Sequence, residues 1–434
     1  MERIAVERLR VGLWVSMEDV PGTGFLLRSE AQIATFATLG ITHVWHEPAR
    51  SEAEPLPEPE SGALPPPAAG PAEEAVPALP EAGGGGGAAI LAAASRPSAF
   101  DEAPAVAPPA DALDAQRQSL DRCERRFSAV SRTFRTVLLN VRAQPEEAHA
   151  LAAAEIGGMV RAMQREPDVA IRLLSEKAGQ ETALHAINVS VLSVLLARSM
   201  GFDEAFVQAV GLGALLHDIG KIELPDVMRG KGDSTNPTER RMFQSHVEHG
   251  RALAGRMGLP EAAFAAVVQH HEAADGSGFP QGLRNEALHP AARIVALVNH
   301  YDNLCNPPNP IHALTPHDAI ASVYRKANAA FDADTLKAFV RMMGIYPPGS
   351  VLQLSDGRFA LSVAVDPANA LKPRVIIHDP AVPADEALVV ALAERPELSI
   401  QRAIKPQALP RAAQNYLKPR KRASFFIESR PPRA

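Results

Sequence analysis

The sequence predicts a mainly α-helical protein with a small α+β domain at its N-terminus and a small β-rich appendage near its C-terminus. Residues 146 to 345 form long apolar-periodic stretches in which Gly and Pro are confined mainly to junctions, a pattern typical of helices. The first 48 residues alternate strand-like and helix-like runs, and residues 346 to 385 hold short apolar runs separated by turn residues.

Residues 1 to 48 are expected to form the N-terminal domain. The runs VGLWVSM and ITHVWHE resemble strands, and the helix-like EAQIATFATLG lies between them with Gly40 as its stop signal. Residues 49 to 109 then change to Pro, Ala, Glu and Gly, including five consecutive glycines from Gly83 to Gly87. Such a segment buries too little apolar surface to offset its ordering entropy, so it is predicted to be a disordered tether.

Residues 110 to 145 predict one helix with a heptad-like apolar seam. Gln116 interrupts the seam, whose seven-residue repeat is Leu113, Leu120, Phe127, Phe134 and Val141. Two interpretations remain open. The seam could join two chains in a homodimer through residues 113 to 141, or the helix could pack inside its own domain. The second is slightly favoured because four heptads barely reach the length of a coiled coil.

The chain after the helical domain is predicted to be β-rich and then basic. The strand-like runs of residues 346 to 385 are SVLQLS, FALSVAVD and PRVIIHD. Residues 386 to 434 form a C-terminal segment with a basic tail, in which seven Lys and Arg residues from Arg411 onward face one acidic residue, Glu428. We expect this tail to be a solvated charged end.

The composition is that of a soluble globular protein, because 46% of the 434 residues are hydrophobic and 22% are charged. The net charge of −6 argues against DNA binding, which needs a basic surface. The N-terminal MERIAVERLR has no apolar core of an export signal, and the apolar run VSVLSVLLA is too short to cross a membrane. Cys123 and Cys305 show no disulfide spacing, so a cytoplasmic protein is expected.

Histidines cluster in the helical domain, where eight of the fourteen lie between His185 and His300, and this clustering favours a metal site. Glu181 and His185 are four residues apart and would share a helix face. The adjacent His217 and Asp218 could converge on the site because the chain bends at Gly220. The other candidate ligands in chain order are His246, His270, His271 and Asn299.

Such a set of imidazoles and carboxylates can hold two first-row metal ions bridged by a carboxylate. Two ions a few ångströms apart stabilise the attacking and the leaving oxygen of an in-line displacement at phosphorus. Lys221, one turn after Asp218, would add a positive charge for a phosphate oxygen. The spacing therefore predicts phosphoester hydrolysis.

The motifs HDIGK, HVEHG, HHE followed by DGSGFP, and ARIVALVNHYDNL resemble the HD-GYP family, the cyclic di-GMP phosphodiesterase branch of the HD phosphohydrolases. The likeness extends from about residue 150 to 380 and includes the β-rich appendage. The first 48 residues are similar to the small N-terminal domain that commonly precedes this one.

The resemblance implies an all-α metal site of the HD type. It makes Asp218 the bridge between two ions, allows Glu181 to serve a third, and makes Lys221 a phosphate contact. The signature tripeptide is Gly278, Phe279 and Pro280, with Phe in place of Tyr, and its aromatic face could stack on a guanine base. The ligands that the family implies are His185, His217, Asp218, His246, His270 and His271.

The chain departs from the family pattern at two places. Asn299 stands where the family has a metal-binding aspartate, and a neutral amide is a poorer ligand for a hard ion. Asp302, three residues later, is a candidate substitute. The stretch DNLCNPPNPIHALTP lacks the Arg-rich substrate-contacting run of the family. His249, His289 and His300 have no family-matched role.

The leading interpretation is a metal-dependent phosphodiesterase that hydrolyses cyclic di-GMP to linear pGpG, with Asp218 and Lys221 as catalytic residues; whether pGpG or GMP is the end product stays open. Imidazole ligands suit iron or manganese equally well. Asn299 and the missing arginines favour one alternative, a degenerate scaffold that binds cyclic di-GMP or a protein. A second alternative is an HD hydrolase of another nucleotide, because the metal ligands serve the phosphate rather than the base.

Overall fold

A computed structural model describes residues 2–16, 25–27, 33, 43–57, 111–165, 169–174, 181–229, 236–326, 328–366, 370–420 and 422–429. The chain divides into two compact units, Met1–Ala82 and Gly83–Ala434. The predicted class, a mainly α-helical protein with β-rich N- and C-terminal parts, is confirmed.

The first unit contains a four-stranded antiparallel sheet in the order β1-β4-β2-β3. Its strands are β1 Glu2–Ala5, β2 Trp14–Ser16, β3 Phe25–Leu26 and β4 His43–His46. Residues 47 to 56 fold back on this sheet, since the backbone N–H of Leu56 donates to the carbonyl of Arg8 over 2.9 Å. The helix predicted for residues 30 to 40, apart from Ile33, and most of the predicted tether, 58 to 109, lie outside the described residues, so both stay predictions.

The second unit is built mainly of helices. They are α1 Ala112–Asn140, α2 Pro145–Arg165, α3 Glu181–Ser199, α4 Glu204–Leu216, α5 Asp226–Arg229, α6 Pro237–Gln244, α7 His246–Met257, α8 Glu261–Gln269, α9 Pro290–Cys305, α10 Pro316–Lys326, α11 Ala333–Met343 and α12 Arg411–Leu417.

Helix α1 buries its heptad-like seam inside its own unit. Asp111 caps its N-terminus by accepting from the backbone N–H of Asp114 over 2.8 Å. Phe127 is 4% exposed and packs edge-to-face on Phe426 with ring centroids 5.8 Å apart. The seam thus contributes to the core of this chain, as the slightly favoured interpretation expects.

Helices α3 and α4 pack against each other in the centre of the unit and carry the first histidines of the site. Two glycines of α4 allow close approach of its neighbours. A Cβ on Gly211 would collide with Val194 of α3, and a Cβ on Gly213 would collide with Ala266 of α8. Close packing of these helices brings α8, and with it His270, within reach of the end of α4.

A seven-stranded sheet lies beside the helices. Its main path runs β10-β6-β7-β5-β11, with β8 paired to β7 and β9 paired to β8. Its strands are β5 Val169–Leu173, β6 Val351–Leu354, β7 Phe359–Val365, β8 Arg374–Ile377, β9 Val389–Ala391, β10 Ile400–Ile404 and β11 Phe425–Ser429.

The expectation of a solvated C-terminal tail is wrong for β11. This strand pairs antiparallel with β5, and Phe425 and Phe426 are fully buried. Glu428 is 4% exposed and lies 3.5 Å from the guanidinium of Arg172, which is also buried. This short apolar run therefore forms a core strand although the residues around it are rich in Lys and Arg. The free energy gained by burying its two aromatic rings outweighs the preference of the neighbouring charged residues for water.

One stretch of the described residues, Glu204–Glu223, is long and apolar enough to cross a membrane by composition alone. Of its most apolar window, 67% is buried inside the unit. A buried core helix of a soluble protein has the same composition, and this stretch supplies His217 and Asp218 to the site described next.

Candidate metal centre

Three histidines lie at or just beyond the ends of helices and share one local geometry. His217 directly follows α4 and His270 directly follows α8, whereas His246 is two residues beyond α6 and is the first residue of α7. Each Nδ1 lies 2.6 to 2.9 Å from the backbone carbonyl oxygen three residues earlier, one of the carbonyls that a helix end leaves unpaired. Because a carbonyl oxygen can only accept, Nδ1 carries the proton and Nε2 of each ring keeps a free lone pair.

A fourth histidine also donates from Nδ1, but its acceptor is a carboxylate instead of a backbone carbonyl. His185 on α3 donates from Nδ1 to Oδ2 of Asp302 over 2.7 Å, and in this tautomer of the neutral ring Nε2 also carries a lone pair. This Nε2 lies 3.2 Å from Nε2 of His217, and Nε2 of His246 lies 3.4 Å from Nε2 of His270. Two lone pairs cannot hydrogen-bond to each other, so each close pair is arranged for a shared cation.

Asp218 lies between the two histidine pairs and turns one oxygen to each. Its Oδ2 is 3.3 Å from Nε2 of His217 and 3.7 Å from Nε2 of His185. Its Oδ1 is 3.5 Å from Nε2 of His246 and 3.6 Å from Nε2 of His270. Oδ1 is buried without a hydrogen-bond partner. This is the geometry of a carboxylate that can bridge two ions.

His271 completes the second half of the cluster. Its Nε2 is buried and has no hydrogen-bond partner, and its ring stacks on Phe279 with centroids 4.5 Å apart. Two groups of side chains each place one ligand atom within 4.8 Å of the others: Asp218, His246, His270 and His271 in one, and His185, His217 and Asp218 in the other. Asp218 belongs to both groups.

Gly220 is needed here for close approach. It lies in a 3-10 turn, Ile219–Glu223, that packs against the start of α7. A Cβ at this position would collide with the carbonyl oxygen of His246 and the backbone N–H of Gly250. The glycine therefore brings Asp218 and His246 together, a reason more specific than the predicted bend of the chain.

Burial keeps three imidazoles of the cluster neutral, those of His217, His246 and His271. It lowers the pKa of His217 to about 4 and that of His246 to about 3, and it lowers the pKa of His271 well below the ordinary value. Burial alone would raise the pKa of Asp218, but Lys221 and His217 outweigh it, and the pKa lies well below the usual range. Neutral imidazoles around an ionised carboxylate are the ligand set that divalent first-row metals prefer.

The cluster is closed at its base and open on one side. The side chains of His217, His246 and His270 are fully buried, whereas those of His185, Asp218 and Lys221 are 24%, 18% and 27% exposed. Lys221 donates to Oδ2 of Asp218 over 2.6 Å. A phosphate arriving from the open side would meet the ammonium group of Lys221 beside the bridging carboxylate.

The loop that carries Gly278, Phe279 and Pro280 is held by one buried carboxylate. Glu272 is 3% exposed and accepts from the backbone N–H groups of Gln281 and Leu283 over 2.7 and 2.9 Å. A Cβ on Gly278 would collide with the backbone of His271 and Glu272. The loop is thereby fixed against the residues that follow α8, with Phe279 on His271.

Other predicted residues occupy different places. The amide oxygen of Asn299 accepts from Nδ2 of Asn303 over 2.8 Å. Asp302 accepts from Nδ1 of His185 over 2.7 Å and so orients the His185 ring. The side chain of Glu181 lies outside the described part of the structure. His289 caps α9 by accepting from the backbone N–H of Ala291, in keeping with its lack of a predicted role.

Three functional positions escaped the sequence analysis: Asn188, Glu272 and Asn306. Asn188 is one turn after His185, and Glu272 directly follows His271, so spacing to a ligand could have identified both. Asn306 follows α9 and lies four residues after Asp302, to which it donates, so spacing to Asp302 was its only local signal; its other partner, Ala423, is 117 positions away.

Comparisons with known proteins find similarity over the region that carries the histidine cluster. A family model described as an HD domain matches residues 168–335, and one described as a domain of unknown function, DUF3391, matches residues 1–152. A cyclic di-GMP phosphodiesterase of Pseudomonas aeruginosa is 28% identical over 86% of this chain and 84% of its own length.

Two further relatives match shorter parts. A cyclic di-GMP phosphodiesterase response regulator of Xanthomonas campestris is 30% identical over 47% of this chain and 56% of its own length. A 3'3'-cGAMP-specific phosphodiesterase of Vibrio cholerae is 26% identical over 38% of this chain and 36% of its own length. With an HD domain matched around the histidine cluster, the signature loop beside it and these relatives, the chain is similar to the HD-GYP family of HD domain proteins.

Proposed function

We propose that this protein is a metal-dependent phosphodiesterase that hydrolyses cyclic di-GMP to linear pGpG and onward to GMP. The observation that carries the proposal is the position of Asp218, which turns one oxygen to each of two histidine pairs. Relatives named cyclic di-GMP phosphodiesterases, one of them aligned over most of both chains, support the same substrate.

The donor set fits two divalent ions. We infer that His185, His217 and Asp218 hold one ion, and that Asp218 with His246, His270 and His271 holds the other. Iron or manganese suits such nitrogen and oxygen ligands, and Glu181 is proposed to serve a third ion or to complete the first set. When bound, two such ions supply Lewis acidity to the phosphate and a nucleophile at neutral pH.

Lys221 is the residue that we propose to contact the phosphate. Its ammonium group lies on the open side of the cluster, 2.6 Å from Oδ2 of Asp218 and 5.2 Å from the centre of the Phe243 ring. In the substrate complex we expect it to contact a phosphate oxygen and to stabilise the charge that develops there. Lys221 is therefore proposed as a catalytic residue beside the bridging Asp218.

The loop of Gly278, Phe279 and Pro280 is proposed to bind the base. The half-buried ring of Phe279 is already oriented by stacking on His271, at 17° between the ring planes. A guanine that stacks on Phe279 would place the adjoining phosphate towards the metal centre. Tyr in this position would add a hydroxyl, so Phe removes one polar contact and leaves the stacking surface.

Two other functions remain as outcomes of the same experiment. A scaffold that binds cyclic di-GMP without turnover is the alternative that Asn299 raises, and the names of the relatives favour the enzyme over it. Hydrolysis of another cyclic dinucleotide is the second, because a relative from Vibrio cholerae is named as 3'3'-cGAMP-specific.

Location and assembly complete the proposal. We place the protein in the cytoplasm, where cyclic dinucleotides are made and consumed, and assign it no membrane or DNA partner. A homodimer through residues 113 to 141 is not needed to explain the apolar seam, since Phe127, Val130, Phe134 and Val137 are buried within one chain.

The deciding experiment is incubation of protein purified without chelator with cyclic di-GMP, 3'3'-cGAMP and cyclic di-AMP, each with Mn²⁺ or Fe²⁺, followed by product separation. The proposal expects pGpG first, GMP later, and two or more equivalents of metal per chain. Binding of cyclic di-GMP with no product would identify a receptor. Faster turnover of another dinucleotide would change the assigned substrate.

A further inference from the structure

Asp302, the carboxylate that orients His185, is held by three hydrogen bonds. It is fully buried on α9. Its Oδ2 accepts from Nδ1 of His185 over 2.7 Å, and its Oδ1 accepts from the amide groups of Asn188 and Asn306 over 2.8 and 2.9 Å. The orientation of the His185 ring therefore depends on a carboxylate whose other oxygen is fixed by two asparagines.

The same two asparagines bind the segment Ala423–Phe425, which leads into β11. The second amide hydrogen of each donates to the backbone carbonyl of Ala423, over 2.8 Å from Asn188 and 2.9 Å from Asn306. The amide oxygen of Asn306 accepts from the N–H of Ala423, and that of Asn188 accepts from the N–H of Phe425, both over 2.9 Å. These backbone partners fix which end of each amide faces Asp302, because a carbonyl only accepts and an N–H only donates.

Strand β11 is in turn anchored in the core. It pairs along its length with β5, and Phe425 and Phe426 are fully buried. Glu428 accepts from Ser119 of α1 over 2.8 Å and lies 3.4 Å from the guanidinium of Arg374 on β8. The start of β11 is thus a fixed element of the fold, set by contacts to the sheet and to α1.

We propose that Ala423–Phe425, acting through Asn188 and Asn306, is a positioning element of the metal centre: it fixes Asp302, which holds the imidazole of His185. This inference rests on the proposed metal function. Without this segment, the side chain of each asparagine would lose the backbone carbonyl to which it donates and the backbone N–H from which it accepts. A buried amide without partners is costly, so the side chain would adopt another rotamer that restores hydrogen bonds. Asp302 would then lose its fixed place, and His185 would lose its orientation.

The variant test compares Asn306→Ala with Ser190→Ala. Ser190 is buried on α3 and donates to the carbonyl of Gly211, so its loss removes one buried hydrogen bond outside this network. The expected result is a dissociation constant for Mn²⁺ that is about 10- to 100-fold higher in Asn306→Ala and unchanged in Ser190→Ala, measured by chelator competition. The visible absorption of the Co²⁺-loaded protein should change only in Asn306→Ala.

Equal Mn²⁺ affinity and equal Co²⁺ spectra in both variants, at similar losses of thermal stability, would overturn the proposal and leave the asparagines a purely structural role. A variant that fails to fold is replaced by a measurement on the natural chain. Coupling between two sites is reciprocal, so Mn²⁺ must stabilise the strand if the strand positions the site.

Hydrogen exchange with and without Mn²⁺ tests this reciprocity in the unaltered protein. We expect slower exchange in peptides covering Ala423–Phe425 as well as His217–Lys221, and no change in β1 of the separate N-terminal unit. Protection of His217–Lys221 alone would overturn the positioning role and leave the metal function intact. Protection of neither peptide would contradict the proposed metal centre itself, and the positioning role with it.

Discussion

Lys221 donates to the Oδ2 of Asp218 that also faces His185 and His217. The ammonium group therefore supplies positive charge at the oxygen where we propose that an ion binds. Lys221 would share this oxygen with an ion held by His185, His217 and Asp218, and its ammonium group would be available to a phosphate if it left Asp218. Lys221 and Asp218 thus have separable roles, which two substitutions distinguish.

Lys221→Ala should lower kcat by about 100-fold or more while metal content stays at the wild-type level, because the variant loses a charge that acts on the transition state and no ligand. The measurements are turnover of cyclic di-GMP and metal content of the same sample. Lys337→Ala is the control, since Lys337 lies 3.4 Å from Asp334 three residues earlier, and both side chains are exposed on the surface of α11. Loss of metal together with activity would show that Lys221 supports the ligands instead.

Asp218→Ala should remove metal and hydrolysis together, because this carboxylate belongs to both ligand groups. Metal analysis and product analysis of one preparation give the result. Asp226→Ala is the matched control: Asp226 is also paired with a basic residue three positions away, and its side chain is 88% exposed. Full metal occupancy in Asp218→Ala would refute the ligand assignment.

Asn299 should leave the ion near His185 with one charged ligand fewer than the family pattern provides. If Glu181 supplies the missing carboxylate, Asn299→Asp raises metal affinity or rate only modestly. Glu181→Gln should then weaken metal binding by more than about 0.5 kcal/mol, the size of the effect of a typical surface substitution. Metal-dependent hydrolysis by wild type, both single variants and the double variant measures this. Wild-type behaviour of Glu181→Gln, with activity appearing only in Asn299→Asp, would make the natural protein a receptor.

Phe127→Glu should destabilise the single chain rather than separate two chains. The side chain is 4% exposed against Phe426, so an unpaired charge there should lower the free energy of unfolding by roughly 3 kcal/mol or more. Leu139→Glu on the same helix, at an 81% exposed position, should stay within about 0.5 kcal/mol. Denaturant unfolding and light scattering test this. A wild-type dimer that the first variant converts to a folded monomer would contradict it.

The metal-free protein should lose stability as the pH falls below about 6.5. Burial lowers the pKa of His217 to about 4 and that of His246 to about 3. Between these pH values and pH 6.5, each histidine is therefore protonated in the unfolded chain and neutral in the folded chain. The stability contributed by neutral histidines is complete above 6.5 and declines by about 1.4 kcal/mol per pH unit for each group. Urea unfolding of chelator-treated protein measures the slope, which His246→Gln should reduce. A flat profile between pH 7 and 5 would exclude neutral buried imidazoles.

Local spacing predicted most of the ligand cluster, and contacts between distant segments account for what it did not predict. The helix-ending positions of His217 and His270 follow from apolar periodicity that stops at each residue. The network of Asn188 and Asn306 depends on Ala423, which only the folded chain brings near. The apolar run of β11 was present in the sequence, but the surrounding Lys and Arg residues gave it the composition of a solvated tail.

The place of β11 in the sheet also affects how the chain folds as it is synthesised. Domains generally fold as units in the order in which the ribosome makes them. Asn188 and Phe425 are 237 positions apart, so α3 leaves the ribosome long before its hydrogen-bond partner exists. During that interval β5 presents an unpaired edge and the apolar face of α1 has no Phe426 to cover it, which exposes surface that chaperones recognise. We therefore expect nascent chains halted before residue 423 to bind chaperones and to lack the mature arrangement around His185.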